Sequence, residues 1–312
     1  MPSQLSTHRI GIDLGGSKIE GVVLDATGAA IASQRVATPR SADAAAAYEA
    51  TLTALDGLVR DLRSNAGIAS HAASIGIGMP GSISPATGRV QNANSTWLNG
   101  RPFQPDIEAR LKQPVRLAND ANCFAISEAT DGAAAGAASV LGVILGTGCG
   151  AGLIINGRIV DGPRGIGGEW GHNPLPWAST DEHPGPECWC GRRGCMEAWV
   201  SGPALAADYS RATGLTASPE TIVARADAEP SAQAALDRHL SRLARGLAHV
   251  VNIIDPYIIV LGGGLSALEH LYAALPQQMA PHIFADAATV DIRRPRWGDA
   301  SGVRGAARLW PR

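Results

Sequence analysis

The fold is decided by the stretch Arg9-Ile-Gly-Ile-Asp-Leu-Gly-Gly-Ser-Lys18, close to the start of the chain. Apolar residues alternate here with Gly11 and Asp13, and this alternation predicts a β-strand with one apolar face. The glycine pair then turns the chain into a second apolar run at residues 19–24, and a third run follows at 31–36. A strand therefore follows the glycine turn, whereas a simple parallel βαβ unit would place a helix there.

The same pattern occurs again at residues 141–148, which read Leu-Gly-Val-Ile-Leu-Gly-Thr-Gly. This stretch also runs into an apolar segment, residues 152–156, and helical spacing of leucines predicts a long helix at 231–254. The repeated order of elements indicates an internal duplication and hence two α/β domains, which also suits a length of 312 residues. We expect a small domain of residues 1–120 plus 296–312 and a large domain of residues 121–295.

Composition excludes several classes of partner. Hydrophobic residues make up 45% of the chain and charged residues 17%, as in a globular protein with a substantial core. The formal net charge of −2 argues against nucleic acid or an anionic membrane as the main partner, and 4% aromatic residues argue against a base-stacking surface. No apolar run has the length of a membrane span, and residues 1–9 lack the apolar core of a signal peptide. We therefore expect a cytoplasmic protein with reduced thiols.

Three glycine-rich turns could bind phosphate, because glycine permits the required dihedral angles and a close approach of the ligand. They are Gly15-Gly16-Ser17-Lys18, Gly146-Thr147-Gly148-Cys149-Gly150 and Gly262-Gly263-Gly264. A plain tight turn is the alternative for each. Other phosphate motifs do not fit: neither lysine follows a glycine, as a Walker A loop requires, and the Gly-x-Gly-x-x-Gly match at residues 76–81 leads into a loop instead of a helix.

Two aspartates are candidates for phosphoryl-transfer chemistry. Asp13 lies two residues before the first glycine pair, where it could hold Mg²⁺ beside a phosphate or, alternatively, cap the turn. Asp120 stands where a predicted strand gives way to a predicted helix. It could act as a general base that accepts a proton from an attacking hydroxyl, or it could be a helix N-cap.

The cysteine cluster Cys188-Trp-Cys190-Gly-Arg-Arg-Gly-Cys195 is a strong metal-binding signal. Three thiolates in one glycine-containing loop suit tetrahedral Zn²⁺, which needs one further nitrogen or sulfur ligand, from His172 or His183. A disulfide would leave an odd thiol and would be unusual in a reducing compartment. The two remaining cysteines lie in apolar or glycine-rich surroundings that are typical of small core residues.

Together these motifs resemble the ROK family of repressors and sugar kinases, from Ile10 to about Trp310. The motifs occur in the family's order: Asp13-Leu-Gly-Gly-Ser-Lys18, Asn119-Asp120-Ala-Asn122, Gly146-Thr-Gly148, Gly168-Glu-Trp-Gly-His172, Cys188-x-Cys-Gly-x-x-Gly-Cys-x-Glu197 and Leu261-Gly-Gly-Gly264. The resemblance implies an α/β, two-domain actin-like/hexokinase-like (ribonuclease H-like) ATPase fold with an inter-domain cleft. It also implies a homodimer that binds ATP and a hexose.

The resemblance further implies roles for individual residues, with Asp120 as the catalytic base. Contacts to ATP and Mg²⁺ would come from Gly11, Asp13, Gly15, Gly16, Ser17, Lys18, Gly146, Thr147, Gly148, Cys149, Gly150, Gly262, Gly263 and Gly264. Contacts to the sugar would come from Gly81, Asn94, Asn119, Glu169, His172 and Glu197. Structural Zn²⁺ would be bound by His172, Cys188, Cys190 and Cys195. The interval from His172 to Cys188 is longer than is usual in the family, yet His183 remains the less favoured ligand.

The loops at residues 92–100 and 170–177 look most like those of bacterial fructokinases, also called mannokinases. This likeness implies ATP-dependent phosphorylation of D-fructose to fructose 6-phosphate. N-acetylglucosamine kinase or glucokinase activity of the same family is the alternative. A non-catalytic sugar-sensing protein is a further alternative, against which the presence of both Asp13 and Asp120 argues.

Overall fold

The structure is a computed structural model that describes residues 8–69 and 71–310. Its strands are β1 (His8–Leu14), β2 (Lys18–Leu24), β3 (Ala30–Ala37), β4 (Ala73–Met79), β5 (Ser82–Ile83), β6 (Val90–Gln91), β7 (Val115–Asn119), β8 (Ser139–Leu145), β9 (Cys149–Ile155), β10 (Arg158–Ile159), β11 (Ile258–Gly262) and β12 (Ile292–Arg293). Its α-helices are α1 (Ala44–Asn65), α2 (Phe103–Leu111), α3 (Asp120–Asp131), α4 (Glu197–Val200), α5 (Gly202–Thr213), α6 (Pro219–Arg225), α7 (Pro230–Ile254), α8 (Glu269–Met279) and α9 (Ser301–Ala306).

The chain divides into two compact units. The first comprises the chain up to Thr130, Arg158–Gly167 and the C-terminal part from Asp299, and the second comprises Asp131–Gly157 and Gly168–Gly298. These bounds differ from the expected domain bounds, because α3 up to Thr130 groups with the first unit. We propose that the two units correspond to the two domains.

The first unit contains a five-stranded sheet in the order β3-β2-β1-β4-β7. β1, β2 and β3 are antiparallel neighbours, and β4 and β7 run parallel to β1. The predicted strand–turn–strand is thereby confirmed, with the glycine pair between β1 and β2. Amphipathic α1 buries Leu52, Leu55 and Leu58 in the core of this unit, together with the apolar residues of β1 and β4.

Helix α9 packs unusually close to this sheet because glycines face it. A Cβ atom on Gly11 of β1 would lie 2.0 Å from the Val303 carbonyl oxygen, and one on Gly76 of β4 would lie 1.9 Å from that of Ala306. A Cβ on Gly305 of α9 would lie 1.6 Å from the Cys123 carbonyl oxygen of α3. α3 and α9 are therefore in backbone contact, which explains why α3 groups with the first unit.

The second unit repeats the hairpin. β8 and β9 pair antiparallel, β11 runs parallel to β8, and β12 runs parallel to β11. The predicted second strand begins earlier than expected, at Cys149, so the turn from β8 consists of Gly146-Thr147-Gly148 alone. The long helix is confirmed as α7, whose leucines Leu243 and Leu247 are fully buried in the core of this unit. Across the described residues, no helix combines the length and apolarity required to cross a membrane.

Candidate active site and metal centre

The first glycine turn is held in shape by hydrogen bonds from its own strands. The Gly15 N–H donates to the Lys18 carbonyl at 3.0 Å, and Thr38, just beyond β3, donates its hydroxyl to the Gly15 carbonyl at 2.7 Å. The Thr38 N–H also donates to the Ser17 carbonyl at 3.1 Å. Gly16 and Ser17 are exposed at the tip of the turn, where a ligand could reach their backbone.

Asp13 is half-buried at the carboxyl end of β1, one residue before that strand ends. Burial, together with the negative charges of Asp120 and Glu20, raises the pKa of Asp13 to about 7, while Lys18 acts in the opposite direction. Closely spaced carboxylates of this kind are stabilised by a cation. The arrangement therefore fits the predicted Mg²⁺ contact, although a proton can also relieve the repulsion.

Asp120 is the first residue of α3, directly after β7. Its side chain is accessible to solvent. The surrounding protein nevertheless displaces enough water to raise the pKa of Asp120, and the hydrogen bonds from Ala121 and Asn119 oppose this rise. The Ala121 N–H donates to Asp120 Oδ1 at 2.8 Å and to Asn119 Oδ1 at 2.9 Å. Asn119 precedes the helix, so the capping position belongs to Asn119, and this placement weakens the N-cap alternative for Asp120.

Asn119 also connects Asp120 to the loop that follows β4. Its Nδ2 donates to the Gly81 carbonyl at 3.2 Å. Gly81 has φ +71°, and a Cβ there would lie 2.3 Å from the Gln91 carbonyl oxygen, so only glycine fits. The next loop is closed by Asn99, whose amide pairs with both backbone groups of Ala93 at 2.9 and 2.8 Å. The predicted sugar residues Gly81 and Asn119 are thus neighbours.

Asn94 is exposed on the loop closed by Asn99. Unlike Gly81 and Asn119, which are joined by a hydrogen bond, it lies at the surface of this loop. Its predicted role depends on the loop conformation alone.

In the second unit, two glycines allow the segment from Gly168 to His172 to make close backbone contact with β9. A Cβ on Gly168 would lie 2.2 Å from the Ala151 carbonyl oxygen, and one on Gly171 would lie 1.9 Å from the Cys149 carbonyl oxygen. This close approach places Glu169 before a short 3-10 helix, Trp170–His172, and places His172 at its end.

Glu197 joins two parts of the second unit. Its Oε2 accepts a hydrogen bond from the Cys149 N–H at 2.9 Å, and its Oε1 accepts one from Trp189 Nε1 at 2.5 Å. A Cβ on Gly148 would lie 2.7 Å from Oε2, so glycine at this position is needed for the carboxylate to reach the turn. Trp189 was not among the residues predicted from the sequence, where the available signal was an indole placed between two predicted zinc ligands.

The second glycine turn is fixed from several sides. The Gly146 carbonyl accepts from the Gly202 N–H of α5 at 2.8 Å, and the Gly146 N–H donates to the Gly148 carbonyl at 3.0 Å. Gly263, with φ +80°, approaches the end of β8, where a Cβ would lie 2.4 Å from the Leu145 carbonyl oxygen. The structure therefore brings the turn at 146–148 and the glycines after β11 together.

Two residues predicted to contact ATP, Gly11 and Cys149, have structural roles instead. Gly11 is buried inside β1 against α9, away from the turn. Cys149 has a buried side chain, and its N–H is engaged by Glu197. Neither residue is therefore part of the ATP site that we propose below.

The four predicted zinc ligands converge. His172, Cys188, Cys190 and Cys195 each offer one ligand atom, and these atoms lie within 4.8 Å of one another. Cys190 and Cys195 have sulfur atoms 3.7 Å apart, near the roughly 3.8 Å expected for two thiolates at about 2.3 Å from one tetrahedral zinc. A disulfide would need about 2.05 Å. Cys188 Sγ lies 3.6 Å from His172 Nδ1, which identifies the ring nitrogen that faces the cluster.

One histidine nitrogen and three cysteine sulfurs are a donor set that fits zinc. His183, the other candidate ligand, is exposed and does not belong to this group. Burial, together with the neighbouring cysteines, raises the pKa of the Cys195 thiol to about 12. A divalent cation would stabilise the thiolates and reverse it.

The long interval between His172 and Cys188 is anchored by buried ion pairs. Glu182 accepts hydrogen bonds from both terminal nitrogens of Arg245, at 2.8 and 2.7 Å, and from Arg242 Nε at 2.9 Å. These contacts lower the pKa of Glu182 to about 2. The extra residues of this interval are therefore fastened to α7.

Comparisons with known proteins identify the family of the chain. Residues 9–312 match the ROK family. An N-acetyl-D-glucosamine kinase from Pectobacterium carotovorum subsp. carotovorum is 39% identical over 304 residues, which cover 96% of this chain and 97% of that protein.

Two solved structures share the fold. The ROK hexokinase from Thermus thermophilus is 31% identical with a TM-score of 0.83, and the match covers 97% of each chain. A ROK family glucokinase from Streptomyces griseus, in complex with glucose and AMPPNP, is 27% identical with a TM-score of 0.77, and the match covers 97% of this chain and 98% of that one.

The chain belongs to the ROK family. The predicted family and the predicted actin-like/hexokinase-like α/β fold are both confirmed, since the matches extend over nearly the whole chain. Its class of activity is that of a hexose kinase, an ATP-dependent phosphotransferase. Such kinases use ATP together with Mg²⁺.

Metal content is the first testable property of the site. We expect the purified protein to carry one Zn²⁺ per chain, because four ligand atoms of suitable type converge. Cys190→Ala should lower the zinc content and weaken sugar affinity, since His172 is predicted to serve both sites. Cys123→Ala, which removes a buried thiol outside the cluster, should keep the zinc. Elemental analysis that finds no zinc in protein prepared without chelators would contradict the assignment.

The raised pKa of Asp13 makes stability depend on pH. The folded state keeps Asp13 protonated up to about pH 7, whereas an unfolded aspartate ionises near 3.8, so this group destabilises the fold increasingly as the pH rises between these values. Asp13→Asn removes this cost. Its stabilising effect should be larger at pH 8 than at pH 5 by about 2–3 kcal/mol, measured by urea unfolding without Mg²⁺.

Asp25→Asn is the matched control for Asp13. Asp25 has a pKa lowered by the Thr27 hydroxyl, so it is ionised in both states across this range and its substitution should act equally at both pH values. An effect of Asp13→Asn that is independent of pH would show that Asp13 is not protonated in the fold.

Proposed function

We propose that the chain transfers the γ-phosphate of ATP to N-acetyl-D-glucosamine. The observation that carries this choice is the set of N-acetyl-D-glucosamine kinases that match nearly the whole chain at 37–40% identity. The resemblance to ROK kinases had left this substrate open as the alternative to fructose.

Asp120 is the proposed general base. Its carboxylate would accept the proton of the sugar hydroxyl, most simply the 6-hydroxyl, as that oxygen attacks the γ-phosphorus in line and the bond to the departing ADP breaks. A pKa raised above the ordinary aspartate value supports this role, because a base works best when its pKa lies near the operating pH. The hydrogen bond from the Ala121 N–H helps to orient the carboxylate.

The turns are proposed to hold the phosphates. Exposed Gly16 and Ser17 suit this role in the first unit, and the turn at 146–148 suits it in the second. Asp13 would hold Mg²⁺, which neutralises phosphate charge when it is bound with ATP. The remaining proposed nucleotide contacts are Gly15, Lys18, Gly150, Gly262, Gly263 and Gly264.

Sugar contacts are proposed from Gly81, Asn94 and Asn119 in the first unit and from Glu169, His172 and Glu197 in the second. Short polar side chains and carboxylates of this kind suit a ligand covered in hydroxyls, and a buried polar group without its partner is costly. We propose Zn²⁺ as the structural metal at His172 and the three cysteines. A homodimer and a cytoplasmic location remain predictions.

D-fructose is the second candidate substrate. It is favoured by the likeness of the loops at 92–100 and 170–177 to those of bacterial fructokinases. In the first loop, Asn99 fixes the backbone of Ala93, while the half-buried Trp97 packs against the core of the first unit. A flat side chain beside polar groups would suit either sugar.

Substitution of the base gives a direct test of the mechanism. Asp120→Asn keeps the size of the side chain but cannot accept a proton, so kcat should fall by about 10²–10⁴. Sugar binding measured by calorimetry should largely survive, because the carboxamide oxygen still accepts hydrogen bonds. A variant with nearly normal kcat would rule out Asp120 as the base.

Substrate choice is tested by competition. Wild-type protein with Mg·ATP and equal, sub-saturating sugars should phosphorylate N-acetyl-D-glucosamine with a kcat/KM at least about tenfold above that for fructose, since a site that pairs polar groups discriminates strongly. Mannose and glucose complete the panel. A clear preference for fructose would support the second candidate and leave the mechanism unchanged, whereas no turnover of any sugar would overturn the proposed function.

A further inference from the structure

Trp189 is exposed, although its polar atom makes a directed contact. The side chain lies between the metal ligands Cys188 and Cys190 and is 62% exposed to solvent. An exposed indole N–H can bond to water at little cost, so a protein acceptor is not required for burial reasons. Even so, Nε1 donates to Glu197 Oε1 at 2.5 Å.

The indole is oriented from its other side by the metal cluster. Its ring lies 5.0 Å from the His172 ring at 86°, an edge-to-face arrangement that aromatic pairs favour. Because both backbone neighbours of Trp189 are cluster cysteines and its ring packs on the cluster histidine, the position of the indole is set by the four-ligand cluster.

Glu197 connects the indole to the glycine turn through its two oxygens. Its second oxygen accepts from the Cys149 N–H at 2.9 Å, and Gly148 leaves the room it needs. The Cys149 amide is the first of β9 and lies where the turn enters that strand. One carboxylate therefore fixes both an indole on the cluster and a backbone amide at the turn.

We propose that Trp189 is a positioning residue for the phosphotransfer reaction: its N–H orients the Glu197 carboxylate and thereby couples the metal-binding loop to the glycine turn at 146–148. This proposal rests on the proposed function, in which Glu197 contacts the sugar and the turn contacts phosphate. In this proposal Trp189 acts through Glu197 and not by contact with either substrate. The contribution lies in restricting Glu197 to one rotamer, so that little ordering remains when the sugar binds.

Two substitutions separate the donor from the ring. Trp189→Phe keeps an aromatic ring against His172 but has no N–H, whereas Trp189→Gln keeps an N–H donor at a similar reach but has no ring. We expect Trp189→Phe to raise the KM for the sugar about tenfold with kcat changed by less than about threefold, because substrate ordering is affected more than proton transfer. The KM of Trp189→Gln for the sugar should stay close to the wild-type value.

Hydrogen exchange gives a measurement that does not depend on turnover. In Trp189→Phe and in Glu197→Gln, the Cys149 amide should exchange at least about tenfold faster than in the wild type, because its acceptor is released or weakened. Trp177→Phe, which alters another exposed tryptophan of the same unit, should leave this exchange unchanged. Zinc content should stay at the wild-type value in all of these variants.

A double variant tests whether Trp189 acts through Glu197. Trp189→Phe combined with Glu197→Gln should be no worse in sugar KM than Glu197→Gln alone. Additive effects, an unchanged Cys149 exchange rate in Trp189→Phe, an unchanged KM, or loss of zinc from Trp189→Phe would each overturn the proposal. If the wild type phosphorylates no sugar, the proposed function fails, while the exchange measurement still decides whether the indole positions Glu197.

Discussion

The site in the second unit depends on the backbone contact between the segment ending in His172 and strand β9. Gly171 lies so close to the Cys149 carbonyl that any side chain would collide with it. This contact fixes His172 beside the cysteines, and the same strand presents the Cys149 amide to Glu197. The predicted metal ligands, the Glu197 carboxylate and the glycine turn therefore all contact one short piece of β9, and a displacement there would affect all three.

Local patterns were predictable from the sequence because their causes are local. Alternating apolar residues around Gly11 and Asp13 predicted β1, and the cysteine spacing predicted a loop in which the three cysteines converge. The reason for Gly11 was not predictable, since the helix that needs it, α9, lies almost three hundred residues later. Likewise, the hydrogen bond between Trp189 and Glu197 depends on how a loop folds back, and no periodicity encodes it.

The buried ions of the second unit show how the longer loop is accommodated. Arg242 is shared between Glu182 and Asp208, with contacts of 2.9 and 2.7 Å, and its guanidinium lies 4.4 Å from the centre of the Trp199 ring. Buried charges contribute little net stability when they are paired, but the loss of one partner is costly. This arrangement fixes the register of the loop on α7 more than it adds to the free energy of folding.

The protonation of Asp13 has a consequence for how a cation would enter. With a pKa of about 7, roughly half of the molecules carry a proton on this carboxyl at neutral pH. A divalent ion that binds there must displace that proton, so proton release accompanies binding and the apparent affinity for the ion rises with pH until the carboxyl is fully ionised. When no metal is bound, the proton on Asp13 thus reduces the repulsion between this carboxyl and the neighbouring Asp120.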